Sequence, residues 1–426
     1  MTNARQCESR RLKYAATIND EALSEDTDQD FELQYVDIGN VDSAGRIHEI
    51  VAHRFEAAPS RARRKVRNGD VIISTVRTYL QAIAPIEKPP ENLIVSTGFA
   101  VVRPSSQKLE PQFCKYALRD PEFLAEVEKR SVGVSYPAIN ASDLGDIRIP
   151  LPPCDDQRAI ADFLDRETAR LDALVAAKER WLELLTEKRR ALITRAVTRG
   201  LNPAASLRDS GIPWLGRIPK HWRIERTKTL FKERDERTDN DEGEMLTVSH
   251  ITGVTLRSEK DVNMFEAETT EGYKICRKGD LAINTLWAWM GAMGISPCEG
   301  IVSPAYNVYV PGTELDEGYV EAIVRMPLFA QEIIRYSKGV WSSRLRLYPE
   351  GFFEARFPVP PLNEQRAIAA HISAETVKLD ALCRSTVRTM DLLKERRAAL
   401  IAAAVTGKIA VPNRVSSVNT GVAHEN

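Results

Sequence analysis

The six histidines (His48, His53, His221, His250, His371, His424) and six cysteines (Cys7, Cys114, Cys154, Cys276, Cys298, Cys383) are the first places to seek chemistry in this 426-residue chain. A zinc hydrolase needs two histidines one helical turn apart, as in HExxH, and structural zinc sites use CxxC pairs; the sequence has neither. It also has no GxxxxGKS/T phosphate loop and no clustered acid pair of the metal-binding kind. The scattered cysteines read as reduced cytosolic thiols. No catalytic residue, metal or cofactor is therefore expected.

What the chain does offer is basic, aromatic and hydrogen-bonding side chains next to short apolar runs, which could form a local basic face. In SRARRKVRNGD (60–70), Arg63, Arg64 and Lys65 could neutralise phosphates, and a solvated charged loop is the alternative reading. Arg77, Thr78 and Tyr79 directly follow an apolar run, where a loop could aim an arginine at guanine O6 and N7. Asn284, Trp287 and Trp289 stand at the corresponding place in the second half, although the two tryptophans would share a face of a strand and could both be core. Lys338, Trp341, Ser342, Arg344 and Arg346 form the richest cluster, interrupted by Gly339. Their counterparts Ser131, Ser135, Tyr136 and Asn140 are less basic but equally able to hydrogen-bond.

Two nearly identical stretches must position these residues, one running from Ile149 to Gly200 and the other from Phe357 to Lys408. They align without a gap, Gln157 on Gln365 and Ala191 on Ala399, and about half of their positions are the same. Each opens with a stiff PxPP element and reads as one long helix, 155–198 and 363–406, with Asp155 and Asn363 as N-caps and Gly200 and Gly407 as stops. Leucines recur every seven residues. Leu164, Leu171, Leu185 and Leu192 form one row, with Ile160, Leu174 and Trp181 beside it. Ile372, Leu379, Leu393 and Leu400 form the matching row of the second copy, beside Ile368 and Leu382. Such a period is a coiled-coil seam, and each helix would be about 60 Å long. The two seams are expected to pair antiparallel, with one head at each end; two independent amphipathic helices are the other reading.

The heads share an order of elements while their sequences diverge. Residues 1–148 place the β-type runs ELQYVDI, GDVIIST and ENLIVSTGFAVVRP before a helix over roughly Pro111–Lys129. Residues 201–356 repeat this with EMLTVSHI, GDLAINTLWAWMG and GIVSPAYNVYVP before a helix over roughly Asp316–Tyr336. The expected class is α+β, without a βαβ nucleotide fold. The polar tail 411–426 reads as disordered. With 59 basic against 60 acidic residues, bulk charge does not advertise nucleic acid, so any DNA contact must be a local basic face. No signal peptide or membrane span is expected, and the cytoplasm is the expected location.

PLPPCDDQRAIADFLD and PVPPLNEQRAIAAHIS are similar to the two spacer openings of type I restriction–modification specificity subunits. DSGIPWLGRIPKHW resembles the phrase that introduces the second half in that family. GDVIISTVRTYLQAIA, and GDLAINTLWAWMGAMGIS with GIVSPAYNVYV, resemble its target-recognition domains. The first half lacks the WLG–IP–HW phrase. The resemblance implies target-recognition domains at 1–148 and 201–356, each reading half of a bipartite site in double-stranded DNA, with spacer helices at 149–200 and 357–410. It also implies two methyltransferase partners and, in the restricting form, two translocase–nuclease partners that carry the chemistry. In keeping with this the chain has no glycine-rich S-adenosylmethionine loop and no NPPY-like motif, Asn202-Pro203 continuing as Ala-Ala. A coiled-coil scaffold whose heads bind proteins, and an enzyme with an unrecognised site, are the rival readings.

Overall fold

The computed structural model describes residues 8–42, 44–239, 243–260, 269–339 and 345–411. Among the described residues helices and antiparallel strands are mixed, with one parallel strand pair, Gln34–Val36 against Leu93–Val95, and a lone parallel bridge between Met245 and Ile301. The chain divides into two compact units, residues 1–178 with 387–426, and residues 179–386. Each long helix thus contributes one segment to each unit.

In the first unit a four-stranded sheet runs in the order 16–18, 99–104, 71–74, 83–85. Its central strand, Val71–Ser74, is buried on both faces, which is why it reads as an unbroken apolar run. Alternate residues face opposite ways. Val71 and Ile73 join a core with the helices, whereas Ile72 joins Val36, Val95 and Phe99 beneath a second sheet ordered 51–54, 32–36, 93–96, 62–65. The second unit repeats the layering. Its sheet runs 231–234, 306–311, 281–284, 293–295, with Leu281 and Ile283 toward the helices and Ala282 toward Leu246, Val248 and Val302.

The single helix expected before each spacer is two helices in both units. Pro111–Ala117 is followed by Pro121–Arg130, and Glu317–Val324 by Pro327–Tyr336. Pro121 and Pro327 cannot continue a helix and instead start the next one, where the missing N–H costs nothing.

The long helices span Cys154–Arg199 and Leu362–Val405. Asp155 and Asn363 are therefore not the N-caps. They lie inside the first turn, and the first helical bonds run to the carbonyls of Pro153 and Pro361, from Gln157 N (2.9 Å) and Gln365 N (3.0 Å). The base of each helix is tied down by a wholly buried glutamine instead. Gln157 Nε2 donates to Pro152 O (2.7 Å) and Lys108 O (2.9 Å), while its Oε1 accepts from Glu110 N (2.8 Å). Gln365 repeats this with Pro360 O and Glu314 O (both 2.9 Å) and Asp316 N (2.9 Å). Beyond the far ends Gly200 and Gly407 adopt left-handed φ of 69° and 72°.

Within each unit the two helix segments run in opposite directions. In the first unit Ile160, Ala161 and Leu164 share a core with Ile401, Ala404 and Val405, and further along Asp172 pairs with Arg397 at 3.1 Å. In the second unit Ala196 and Val197 share a core with Ile368 and Ile372, and Arg189 pairs with Asp380 at 2.6 Å. The two ion pairs are the same pair of repeat positions with the roles exchanged.

The row of Leu164, Leu171, Leu185 and Leu192 is buried or half-buried, as are Ile372, Leu379, Leu393 and Leu400. The companion rows are displaced by one residue from those expected. Leu174, Trp181 and Leu382 are 45%, 47% and 48% exposed, while Val175, Leu182 and Cys383 turn inward, as do Thr168, Thr386 and Met390. The cause is the same in both copies. Ile160 and Ile368 are buried by the core of the head at the helix base, so counting sevens from them starts one residue off the inter-helix seam.

Gln157→Ala and Gln365→Ala would each leave one buried N–H and two buried carbonyls without the amide. At about 1–3 kcal/mol per orphaned group, offset by whatever water enters, each substitution should cost about 3 kcal/mol or more. Urea or thermal denaturation reads this against the exposed control Gln81→Ala, which should stay within about 0.5 kcal/mol of the parent.

Candidate nucleic-acid interface

The turn entering each central strand is built alike. Gly69 and Gly279 hold φ of 89° and 86°, and the next residue in each case is a buried aspartate, Asp70 or Asp280. Asp70 accepts from Arg67 N (2.7 Å) and binds Arg103 through Nε and Nη2 (both 2.9 Å); Asp280 accepts from Arg277 N and Arg234 Nε (both 2.8 Å). The paired carboxylate holds each arginine's pKa above its ordinary value. The arginines come from different neighbouring strands, so the duplicated carboxylate, not the cation, is the constant part. These groups anchor the strand, and their burial removes them from any role at the surface.

At the other end of the strand the chain turns outward. In the first unit Thr75 N and Oγ1 both donate to Gly98 O, and Ile139 N donates to Thr75 O, which joins the strand end to the segment 131–139. Arg77 follows with φ 55°, ψ 51°, and Gln81 closes the 78–80 turn with φ 48°. The left-handed region costs a residue with a Cβ about 1–2 kcal/mol, and such strain gathers where a side chain must be aimed. Arg77 N donates to Pro137 O (2.8 Å), the Arg77 guanidinium lies 5.0 Å from the centre of the Tyr136 ring, and the Thr78 and Ser131 hydroxyls are 3.0 Å apart. The structure therefore brings Arg77, Thr78, Ser131 and Tyr136 together, with Tyr79 exposed beside them and Ser135 exposed in the same segment. Asn140 is occupied otherwise, since it caps the helix 141–145 through Asp143 N (2.8 Å).

Arg63, Arg64 and Lys65 lie on the edge strand 62–65, not in a loop. Arg63 stacks over Phe55 at 4.6 Å and Arg64 is half-buried, which leaves Lys65 as the exposed cation of the three. The strand reaches the rim only through its start, where Thr97 N donates to Arg61 O next to Gly98.

In the second unit Thr285 plays the part of Thr75, with Leu347 N donating to Thr285 O (3.0 Å) and Arg346 Nε to Thr285 Oγ1 (3.3 Å). Lys338 and Arg346 flank the exposed Tyr348 ring at 5.8 and 5.9 Å. Trp341, Ser342 and Arg344 lie outside the described residues. Asn284 is buried, its amide held by Tyr306 OH (3.0 Å). The tryptophans are not strand core, because the strand ends at Asn284. Trp287 is 49% exposed and stacks against Trp289. Leu286 and Met290 are exposed with them, so this rim sets an apolar surface beside the Lys338–Arg346–Tyr348 cluster. Sequence reasoning missed Gln81, Leu286, Met290 and Tyr348. Only Tyr348, in the basic run RLRLY, carried a signal there.

Among the described residues no group of histidine, cysteine, aspartate and glutamate could hold a metal ion, and no helix is long and apolar enough to cross a membrane. Residues 61–183 match the family described as type I restriction modification DNA specificity domain. The assigned MjaX type I restriction enzyme specificity subunit of Methanocaldococcus jannaschii is 24% identical over 80% of this chain and 79% of its own. The EcoBI specificity subunit of Escherichia coli is 21% identical over 78% and 74%. Among solved structures, a chain from the type I R-M system, described for its complex assembly and conformational transition, superposes with a TM-score of 0.74 at 22% identity, covering 95% of this chain and 99% of that one. The HsdS subunit of Thermoanaerobacter tengcongensis gives 0.56 at 23% identity, covering 95% and 98%. These matches make the chain similar to the specificity subunits of type I restriction–modification systems: it carries a match to the DNA specificity domain over residues 61–183 and shares the fold of the solved chains.

Gly133, in the segment that carries Tyr136, has φ 115°, and a Cβ there would sit 3.1 Å from Tyr136 O. Gly133→Ala should cost about 1–3 kcal/mol of local strain and misplace Tyr136, lowering DNA affinity. Gly39→Ala, where a Cβ meets nothing within 4 Å, should leave both the denaturation midpoint and DNA binding as they were.

Proposed function

We propose that each unit carries one target-recognition domain, over 1–148 and 201–356, and that the rim at the end of its central strand reads one half of a bipartite DNA site. The observation that carries this is the paired placement of cation and tyrosine. Arg77 lies against Tyr136 in one unit, and Lys338 and Arg346 lie against Tyr348 in the other, each near the threonine that follows the central strand. A guanidinium held by an aromatic face and a fixed backbone loses little entropy when it meets a base edge or phosphate. With a net charge of −1, affinity must come from such local groups and from partner subunits.

The spacers 149–200 and 357–410 act as an antiparallel coiled-coil pair that fixes the distance between half-sites and docks two methyltransferase subunits, with two translocase–nuclease subunits in the restricting form. The subunit itself is non-catalytic, adenine methylation and cleavage belonging to those partners. Lys65, Tyr79 and Ser135 contact DNA from the first head and Trp287 from the second. Arg63, Arg64, Asn140 and Asn284 hold up those surfaces rather than touching DNA.

Arg77→Ala should relax discrimination in one half-site only and Arg346→Ala in the other. Each should cost about 1–3 kcal/mol if the contact is to a base edge. A phosphate contact would instead weaken all sequences alike and flatten the salt dependence. Binding to half-site variants at two salt concentrations separates the cases, and unchanged affinity and specificity in both variants would remove these residues as readers.

The helices can be tested as a ruler. Inserting one heptad between Leu174 and Leu185 adds about 10 Å, or roughly three base pairs, while keeping Leu164, Leu171, Leu185 and Leu192 on one face. Because the partner helix is unchanged, the expected result is the same half-sites with a spacer longer by roughly one to three base pairs. Methylation-sensitive sequencing reads it, and altered half-sites at the old spacing would refute it.

A further inference from the structure

Inside the duplicated scaffold the two units differ where the head's first helix packs against the long helix. Glu110 and Asp316 hold the same bond to the spacer glutamine, so the helices that follow align residue for residue: Phe113 with Tyr319, Arg119 with Arg325, Pro121 with Pro327. In the first unit Tyr116 on this helix is buried against the long helix. Its hydroxyl donates to Asp165 Oδ1 (2.6 Å) and lies 3.1 Å from Thr168 Oγ1, and Lys115 Nζ reaches the same carboxylate at 2.7 Å. In the second unit the tyrosine position is Ala322 and the aspartate position is Ser373, while the threonine is kept as Thr376. The space is not closed by other side chains. A half-open cavity of about 470 Å³ remains there, lined by Ala322, Ser373, Thr376, Ile193, Arg190 and Arg325 among others.

Burial of this kind is seldom left open at no cost, since lining atoms without partners lose their dispersion contacts. Arg325, which lines one side, is itself tied down, its Nη2 donating to Ile251 O (2.6 Å) and its Nε lying 3.4 Å from Glu321 Oε1. The equivalent position in the first unit shows what fits: a phenol ring lying between the two helices, its hydroxyl toward the conserved threonine.

We propose that this cavity is an anchor site for a tyrosine side chain of a partner protein, which enters from outside and takes the place that the chain's own Tyr116 takes in the first unit. Tyrosine is the residue type that such pockets favour, being large, rigid and tipped with one polar group. The proposal rests on the reading that this subunit works in a complex with modification subunits. It makes the two docking faces unequal, one complete in itself and the other completed by the partner.

The probe is p-cresol, the side-chain analogue of tyrosine, added to the full chain. It should raise the melting temperature of the parent and leave that of Ala322→Tyr unmoved, because the new ring fills the space. Equal shifts in both, or none in the parent, overturn the site. Ala322→Phe fills the same volume and takes over the test should the tyrosine variant fail to fold. The second measurement is binding of the modification subunit, which Ala322→Tyr should weaken at least tenfold. Discrimination between p-cresol responses with unchanged subunit binding would make the cavity a small-molecule site and overturn the docking proposal. Half-site recognition should be unaltered by Ala322→Tyr, so failure here is distinguishable from failure of the DNA reading, which Arg77→Ala and Arg346→Ala test.

Discussion

A single buried amide sets the geometry of each unit. The PxPP elements that open the spacers withdraw three backbone donors at the point where the chain turns from head to helix. The carbonyls left there, Pro152 O and Lys108 O in one unit, Pro360 O and Glu314 O in the other, are within reach of no helical N–H. The glutamine at the first turn supplies two donors to them and one acceptor to the residue that starts the head's helix. Only a side chain carrying both kinds of group on one rigid plane can do this. Asp or Glu would offer acceptors alone, and Lys or Arg donors alone. Because each bond lands on backbone of a different element, the amide fixes the angle between the long helix and the head irrespective of which side chains the head displays.

That independence explains how the two heads diverged without losing their frame. The frame rests on groups that recur at repeat positions: the buried glutamine, the buried aspartate after the turn glycine, and the more exposed Asp–Arg pair exchanged between helices. Their partners are largely backbone, or an arginine that any of several strands can supply, as Arg103 and Arg234 demonstrate. The rims carry no such obligation. Arg77 with Tyr136 in one unit, and an exposed Leu286–Trp287–Met290 surface beside Lys338 and Arg346 in the other, sit on equivalent scaffolds with different chemistry. Shape is held below and recognition is varied above.

Much of this was legible in the sequence because it rests on repetition and on proline and glycine. The gapless match of the spacers, the glycines at their stops and the Gly-Asp turns all name positions that the fold uses. What stayed hidden has three physical causes. Leu174 and Leu382 were placed one residue off the seam because periodicity cannot tell burial by a head from burial by a helix, and Ile160 and Ile368 are buried by heads. The proline breaks at Pro121 and Pro327 were overridden by the strong apolar pattern on either side. The left-handed backbone at Arg77 and Gln81 left no mark at all, since neither residue type announces it, and so the turn that aims Arg77 looked like any exposed loop.

The cavity beside Ala322 belongs to a fourth kind, legible only by comparing the chain with itself. Alanine and serine on helices are unremarkable choices when read one position at a time. Set against Tyr116 and Asp165 they become a deletion of a ring and of the carboxylate that bonds it, at a place where the threonine and the neighbouring arginine were both retained. Random drift in a packed core usually ends with neighbours of larger volume closing the gap, because each unfilled contact lowers stability. Here Ile193, Ile372, Met326 and Arg190 all line the opening without closing it, beside a long helix whose base Gln365 pins to the head.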